Sequence, residues 1–230
     1  MEKIIMICGK KFHQPEVFTS LLLTCTSAVF LLSGCGGPAV DLYERAGVLH
    51  SQGNFEGAIN DYTGFIRLNP DYIDAYYKRG RSYEARGNYY KAIEDYDKYI
   101  AVKPNIAQAY LSRANAFRNT SRYDKAVADF DKAIEVNPEY AQAYFSRAVI
   151  YGIKGRDDKA VSDYTRCIEL NPEYVNAYNR LSAYNNRAIA YYRMGQYERA
   201  WDDVYKAEGL DSPLSDDFID KLRKASGRQR

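Results

Sequence analysis

The chain has 230 residues, of which 46% are hydrophobic and 27% charged, enough for a sizeable core and unlike a disordered or collagen-like polymer. With 32 Lys and Arg against 30 Asp and Glu the formal charge is only +2, so no overall field draws the protein to nucleic acid, and none is expected as a partner. Two His and four Cys, without a C-x-x-C or H-E-x-x-H spacing, supply almost no zinc ligands, so no metal or other cofactor is expected; the 23 Tyr suit packing surfaces with one wet edge.

Lys3, Lys10 and Lys11 precede an uncharged stretch from Val17 through Val40, with its apolar centre at Leu21 to Leu23 and Val29 to Leu32. This is the layout of a secretory signal. It ends in Leu32-Ser33-Gly34-Cys35, which resembles the lipobox of bacterial lipoproteins, a motif in which small residues admit the processing peptidase and the Cys takes a diacylglyceryl group. Residues 1–34 are then a signal peptide, Cys35 is the lipidation site, and residues 35–40 form a lipidated tether. The alternative is an uncleaved membrane helix, because Val17 to Gly34 spans 18 residues, the lower edge of spanning length. Thr19, Ser20, Thr24, Thr26 and Ser27 dilute that stretch, and a spanning helix has no need of Gly and Cys at its outer end, which favours the lipoprotein reading. Both readings place the remainder outside the cytoplasm. Gly36, where Asp would be the usual inner-membrane retention signal, points to the outer membrane facing the periplasm in a Gram-negative cell. Cleavage leaves the lipid-bearing Cys35 and Cys167 as the remaining thiols, so no internal disulfide is expected.

Pro70, Pro104, Pro138 and Pro172 follow one another at 34 residues, as do Ala58, Ala92, Ala126 and Ala160. Gly53, Gly87 and Gly155 keep the same step, with Ser121 in place of a glycine. A fifth copy carries Gly195 and Ala200 but arrives late, after six extra residues. Each unit reads as two helices. Between Asp71 and Pro104, Tyr76, Arg79, Gly80 and Tyr83 recur at helical spacing, Gly87-Asn88 breaks the chain, and Ala92, Tyr96, Tyr99 and Ile100 form a second stripe. One helix pair cannot bury its own apolar face, so the units must stack.

This pattern resembles the tetratricopeptide repeat (TPR) family over about residues 39–214, in copies at 39–72, 73–106, 107–140, 141–174 and 175–214, the last with the insertion. The resemblance implies an all-α, right-handed superhelix of five helix pairs whose concave surface, formed mainly by the first helices, binds peptides or partner proteins. Residues 215–230 read as a capping helix, with Leu214, Phe218, Ile219 and Leu222 apolar and Ser215 as N-cap, followed by a basic tail. Adding six residues turns a helix by about 600°, so the insertion is expected to lengthen the first helix of the fifth pair at its N-terminal end by more than a turn, with Tyr178 and Arg180 projecting from the edge.

Arg45, Arg79, Arg113, Arg147 and Arg187 recur on the first helices, and Asp61, Asp95, Asp129, Asp163 and Asp203 on the second. A charge repeated in every unit is most simply an internal strut. Cys167 takes an apolar-stripe position and reads as a small buried hydrophobe, and His50 reads as solvated. No G-x-S-x-G or titratable cluster supports catalysis, so the chain is not expected to be an enzyme. Recognition is expected where first-helix residues vary between units and face the hollow: Tyr43 and Gly47; Tyr77, Arg81 and Glu84; Leu111, Asn115 and Arg118; Phe145 and Val149; Asn185 and Ile189. Tyr77, Leu111 and Phe145 are expected to form an apolar strip. The paired Lys and Asn with which some family members clamp a carboxylate is absent, since Tyr43 and Gly47 occupy those positions. The expected function is a lipid-anchored scaffold of the bacterial cell envelope that binds protein or peptide partners and assists complex assembly. A second reading is an accessory module that presents a cell-wall enzyme or binds peptidoglycan or another polysaccharide, because Tyr-rich grooves stack sugars.

Overall fold

The computed structural model describes residues 6–7, 10–11, 38–170, 177–210 and 214–228. Cys35, Pro172, nearly all of the expected signal peptide and residues 35–37 of the expected tether lie outside the described residues, while residues 38–40 of that tether are helical. The chain divides into two units, residues 1–37 and 38–230. In the first, β1 (Met6–Ile7) and β2 (Lys10–Lys11) pair antiparallel.

The described part of the second unit is built of helices. They run as α1 (Pro38–Ser51) with α2 (Phe55–Leu68), α3 (Ile73–Ala85) with α4 (Tyr89–Val102), α5 (Ala107–Asn119) with α6 (Tyr123–Val136), α7 (Ala141–Ile153) with α8 (Asp157–Leu170), and α9 (Ala177–Arg193) with α10 (Tyr197–Glu208), closed by α11 (Asp216–Ser226). This is the all-α stack of five pairs and a cap that the repeat period implies.

The three-residue turn inside each pair has one chemistry. Gly53, Gly87, Gly155 and Gly195 sit at φ between 66° and 79°, and the next amide reaches back five residues, as in Asn88 N to Tyr83 O at 2.8 Å and Arg156 N to Tyr151 O at 2.8 Å. This left-handed cap closes the first helix, and glycine adopts it without a Cβ penalty. Ser121 holds the same position at φ 57°, the one non-glycine residue at positive φ among the described residues. Asn54 and Asn88 then accept from Gly57 N and Lys91 N, so the residue that ends one helix caps the next.

Packing repeats as the sequence does. Ala58, Ala92, Ala126, Ala160 and Ala200 are fully buried, and each is followed four residues on by Tyr62, Tyr96, Phe130, Tyr164 or Val204, also buried. Gly80 lies tightly against the second helix of its pair: a Cβ there would lie 2.8 Å from Cε1 of Tyr96 and 3.3 Å from Asp95 Cβ. The close approach therefore faces Tyr96 and Asp95.

The recurrent charges are struts, and they do two jobs. Each Arg donates through Nε and Nη2 to both carboxylate oxygens of the Asp sixteen residues on, at 2.6 to 2.8 Å throughout. From the second layer onward the remaining Nη1 reaches the preceding layer: Arg79 to Thr63, Arg113 to Asp97, Arg147 to Asp131 and Arg187 to Thr165. The guanidiniums of those four also lie 5.5 to 5.9 Å from the centroids of the rings three residues before and four after, such as Tyr76 and Tyr83 around Arg79.

The insertion does what its length predicts. Helix α9 has 17 residues where α3, α5 and α7 have 13, and the extra turn is at its N-terminal end. Ala183 and Ala188 are fully buried, as Ala143 and Ala148 are in α7, so regular packing resumes from there. The side chains of Tyr178 and Arg180 lie outside the described residues. At the far end Ser215 caps α11, whose Ile219 and Leu222 join Leu214 over Trp201 and Val204, while Trp201 Nε1 donates to Ser226 Oγ at 3.1 Å.

Candidate functional site

Three rows of first-helix residues run across successive layers, and each has a different fate. Tyr43, Tyr77, Leu111, Phe145 and Asn185 form the first row. Leu111 is only 5% exposed and belongs to the core, which corrects its expected place in a groove strip. Its neighbours in the row are drawn the same way. Tyr43 packs on Tyr62, Phe65 and Tyr72, Tyr77 packs on Tyr96 and Tyr99 at 5.6 and 4.8 Å, and Phe145 meets Tyr164 edge-on. These rings meet the second helix of their own pair, joined at Tyr43 by Tyr72 in the loop after α2, so the row is engaged largely in packing within each pair. Tyr77 also shares a 3.2 Å hydrogen bond with Ser112. One layer on, Leu111 has no hydroxyl to offer, and Ser146 Oγ is buried without a partner among the described residues. Asn185, at the end of the row, is half-buried.

The second row (Gly47, Arg81, Asn115, Val149, Ile189) and the third (His50, Glu84, Arg118, Gly152, Tyr192) divide the stack into a charged half and an apolar half. On α3 and α5, Glu84 accepts from the Tyr96 hydroxyl at 2.7 Å, with Arg81 and Arg118 near enough to bias its charge. Burial pushes the Glu84 carboxyl above its ordinary range, against the Tyr96 hydrogen bond and both guanidiniums. Neither Arg81 nor Arg118 forms an ion pair with a described carboxylate, although most other arginines of the stack do. Arg81 is exposed and Arg118 half-buried, so both remain open to an anionic ligand. Asn115 lies between them in sequence, but its Oδ1 is enclosed and unpartnered among the described residues.

On α7 and α9 the same two rows turn apolar. Val149, Ile189, Ala190, Tyr164 and Ala160 wall a hollow of about 210 Å³ between the fourth and fifth pairs. Gly152 creates it: the third-row position holds His50, Glu84 or Arg118 in the earlier layers, whereas a Cβ at Gly152 would meet nothing within 4 Å. Arg193 lines the solvent side, donating to Gly152 O at 3.2 Å and approaching Asp157 at 3.5 Å. The sequence reading named Val149 and Ile189 but passed over Gly152 and Arg193. The signal for Gly152 was present, a small residue where every other layer carries a large side chain.

His50 is not solvated as expected. Its Nδ1 lies 2.9 Å from Ser82 Oγ on the neighbouring α3, its ring meets Phe55 edge-on, and burial, then the Arg81 charge, lower its pKa. Cys167 is buried, with its thiol pushed up to about 11 by burial and then by Asp163, as suits an inert core residue. Among the described residues no group of three His, Cys, Asp or Glu is placed to hold a metal, and no helix is long and apolar enough to cross a membrane.

Comparison with known proteins accounts for the stack. The family described as tetratricopeptide repeat matches residues 73–106, 107–140 and 141–174, and related TPR families match 47–87 and 180–207. No curated protein matches the chain. Among solved structures, the MamA protein aligns with a TM-score of 0.68 at 25% identity, over 75% of this chain and 91% of its own. A tetratricopeptide repeat protein from Parabacteroides merdae ATCC 43184 aligns at 0.64 and 22% identity, over 86% and 77%. YrrB, described as a TPR protein with an unusual peptide-binding site, aligns at 0.63 and 19%, over 80% and 92%. With a 34-residue period, matching helix pairs and family matches through most of the stack, this chain belongs to the tetratricopeptide repeat family.

Proposed function

We propose that the protein is a lipid-anchored scaffold of the bacterial envelope, held by Cys35, which gathers partner polypeptides along the concave face of its first helices and performs no chemistry itself. Family membership supports a protein or peptide partner. The observation that carries the reading to this face is that Arg81 and Arg118 form no ion pair with a described carboxylate, whereas Arg79, Arg113, Arg147 and Arg187 on the first helices are each locked to an aspartate. Such side chains offer directional hydrogen bonds to a ligand that brings its own carboxylates or carbonyls. The polysaccharide reading loses support, because Tyr43 and Tyr77 already use their rings in packing.

The test places a photo-crosslinking side chain at Arg81 or Val149 in the full chain, in cells, with exposed Glu94 on α4 as control. Discrete crosslinked polypeptides are expected from the first two positions and not from Glu94. Equal yields at all three would remove the concave face as the binding surface. In parallel, labelling with an alkynyl fatty acid should mark the natural chain and not Cys35→Ser; equal labelling of both would remove the anchor.

A further inference from the structure

The two halves of the first-helix face differ in a way that specifies what kind of peptide fits. Arg81 and Arg118 on α3 and α5 lack ion-pair partners among the described residues, whereas the hollow at Gly152 between α7 and α9 is lined mainly by aliphatic groups and Tyr164, with Asn186 and the Arg193–Asp157 pair beside them. Helices α5 and α7 are neighbours in the stack, and packed helices lie about 8–10 Å apart. An extended peptide advances about 3.3 Å per residue, so a segment crossing from Arg118 to the hollow covers that gap in about three residues.

Resting on the peptide-binding reading above, we propose that the face selects an extended segment with an acidic residue about three positions from a large aliphatic or aromatic one, the carboxylate held at Arg81 and Arg118 and the apolar side chain seated in the Gly152 hollow. The occupant's charge follows from complementarity. One carboxylate, Glu84, lies near these two guanidiniums, and it is already engaged by the Tyr96 hydroxyl, so the site carries a net positive charge. The occupant's size follows from the hollow, since about 210 Å³ accepts a Leu or Phe side chain. Arg193 is half-exposed at its solvent side, placed to donate to a peptide carbonyl as it now does to Gly152 O.

The hollow provides the test. Gly152 is helical and a Cβ there would meet nothing within 4 Å, so Gly152→Leu can direct its larger group into the space the ligand side chain would take. The probes are fluorescein-labelled peptide libraries of random sequence: one with Asp and Leu fixed three positions apart, one with Lys for that Asp, and one with Ser for that Leu. Anisotropy with the full chain should show binding of the first, with each exchange weakening it by about tenfold, as one apolar or charged anchor is worth. Gly152→Leu should weaken the first library by a similar factor while melting no lower than the natural chain, and Arg118→Glu should do so with loss of the salt dependence. Gly152→Ala, with a smaller group, should fall between. Unchanged binding by Gly152→Leu, or equal binding of the Lys library, would overturn the acid-and-apolar pattern while leaving peptide binding in place. Failure of all three libraries to bind would overturn both.

Discussion

The first strut and the inner struts have the same hydrogen bonds and different surroundings. Arg45 grips Asp61 through the same two nitrogens as its counterparts, yet its side chain is 63% exposed, against 13 to 19% for Arg79, Arg113, Arg147 and Arg187. Among the described residues none accepts from its Nη1, and Leu42 and Leu49 stand where the inner arginines have rings before and after. Identical sequence spacing therefore yields identical geometry but not identical energetics. Water screens the outer pair, while the inner pairs are enclosed and costly to break.

The largest effect is expected at Asp95→Ala, which leaves Arg79, 14% exposed, with only the neutral Thr63. An unpaired guanidinium in that setting should cost about 3–5 kcal/mol in chemical denaturation. Asp129→Ala should cost less, because Arg113 keeps its bond to Asp97, and Asp61→Ala least, because Arg45 hydrates freely. Equal losses in all three would break the contrast between edge and interior.

Gly80→Ala comes next. The new methyl group would be forced against the ring of Tyr96, which is fully buried and held by Glu84, so a loss of about 1–3 kcal/mol is expected despite the better helix propensity of Ala. In the outer layer the same position is already Ala46, so Ala46→Gly should gain nothing; a more stable Ala46→Gly would contradict this account. A smaller effect of opposite sign is expected at Ser121→Gly, which relieves a left-handed backbone and should raise stability by about 0.5–1 kcal/mol. Gly53→Ser, at the equivalent outer turn, should reverse that gain.

The smallest expected effect is the pH response of His50. Its pKa is lowered from 6.5 by burial and then by Arg81, so the unfolded chain takes up the proton more readily than the folded one. Stability should hold above pH 6.5 and decline as pH falls below it, and His50→Gln should flatten that slope in melting curves at pH 7 and pH 5. An unchanged slope would return His50 to the solvated position that the sequence suggested.

Periodicity made the architecture legible because helix ends, turns and the struts depend on residues close in sequence or one repeat apart. Ser121 could be recognised as a stand-in for glycine, and six extra residues before Gly195 translated directly into the longer α9. The binding face was less legible. Spacing identifies which residues share a side of a helix, but each inner first helix has two main partners, its own second helix and the second helix of the pair before, and the angle between them is set by packing. Leu111 and Tyr77 therefore passed as groove residues although Leu111 belongs to the core and Tyr77 packs on the rings of its own second helix. Gly152 escaped notice for the opposite reason, since its contribution is space rather than a side chain.

The bonds that cross between layers are not uniform along the stack. Arg113 and Arg147 reach carboxylates of the layer before them, at Asp97 and Asp131, whereas Arg79 and Arg187 reach only the hydroxyls of Thr63 and Thr165. The two middle joints therefore carry an ionic bond across the layers that added salt weakens, whereas the first and last joints carry a neutral one that salt leaves alone.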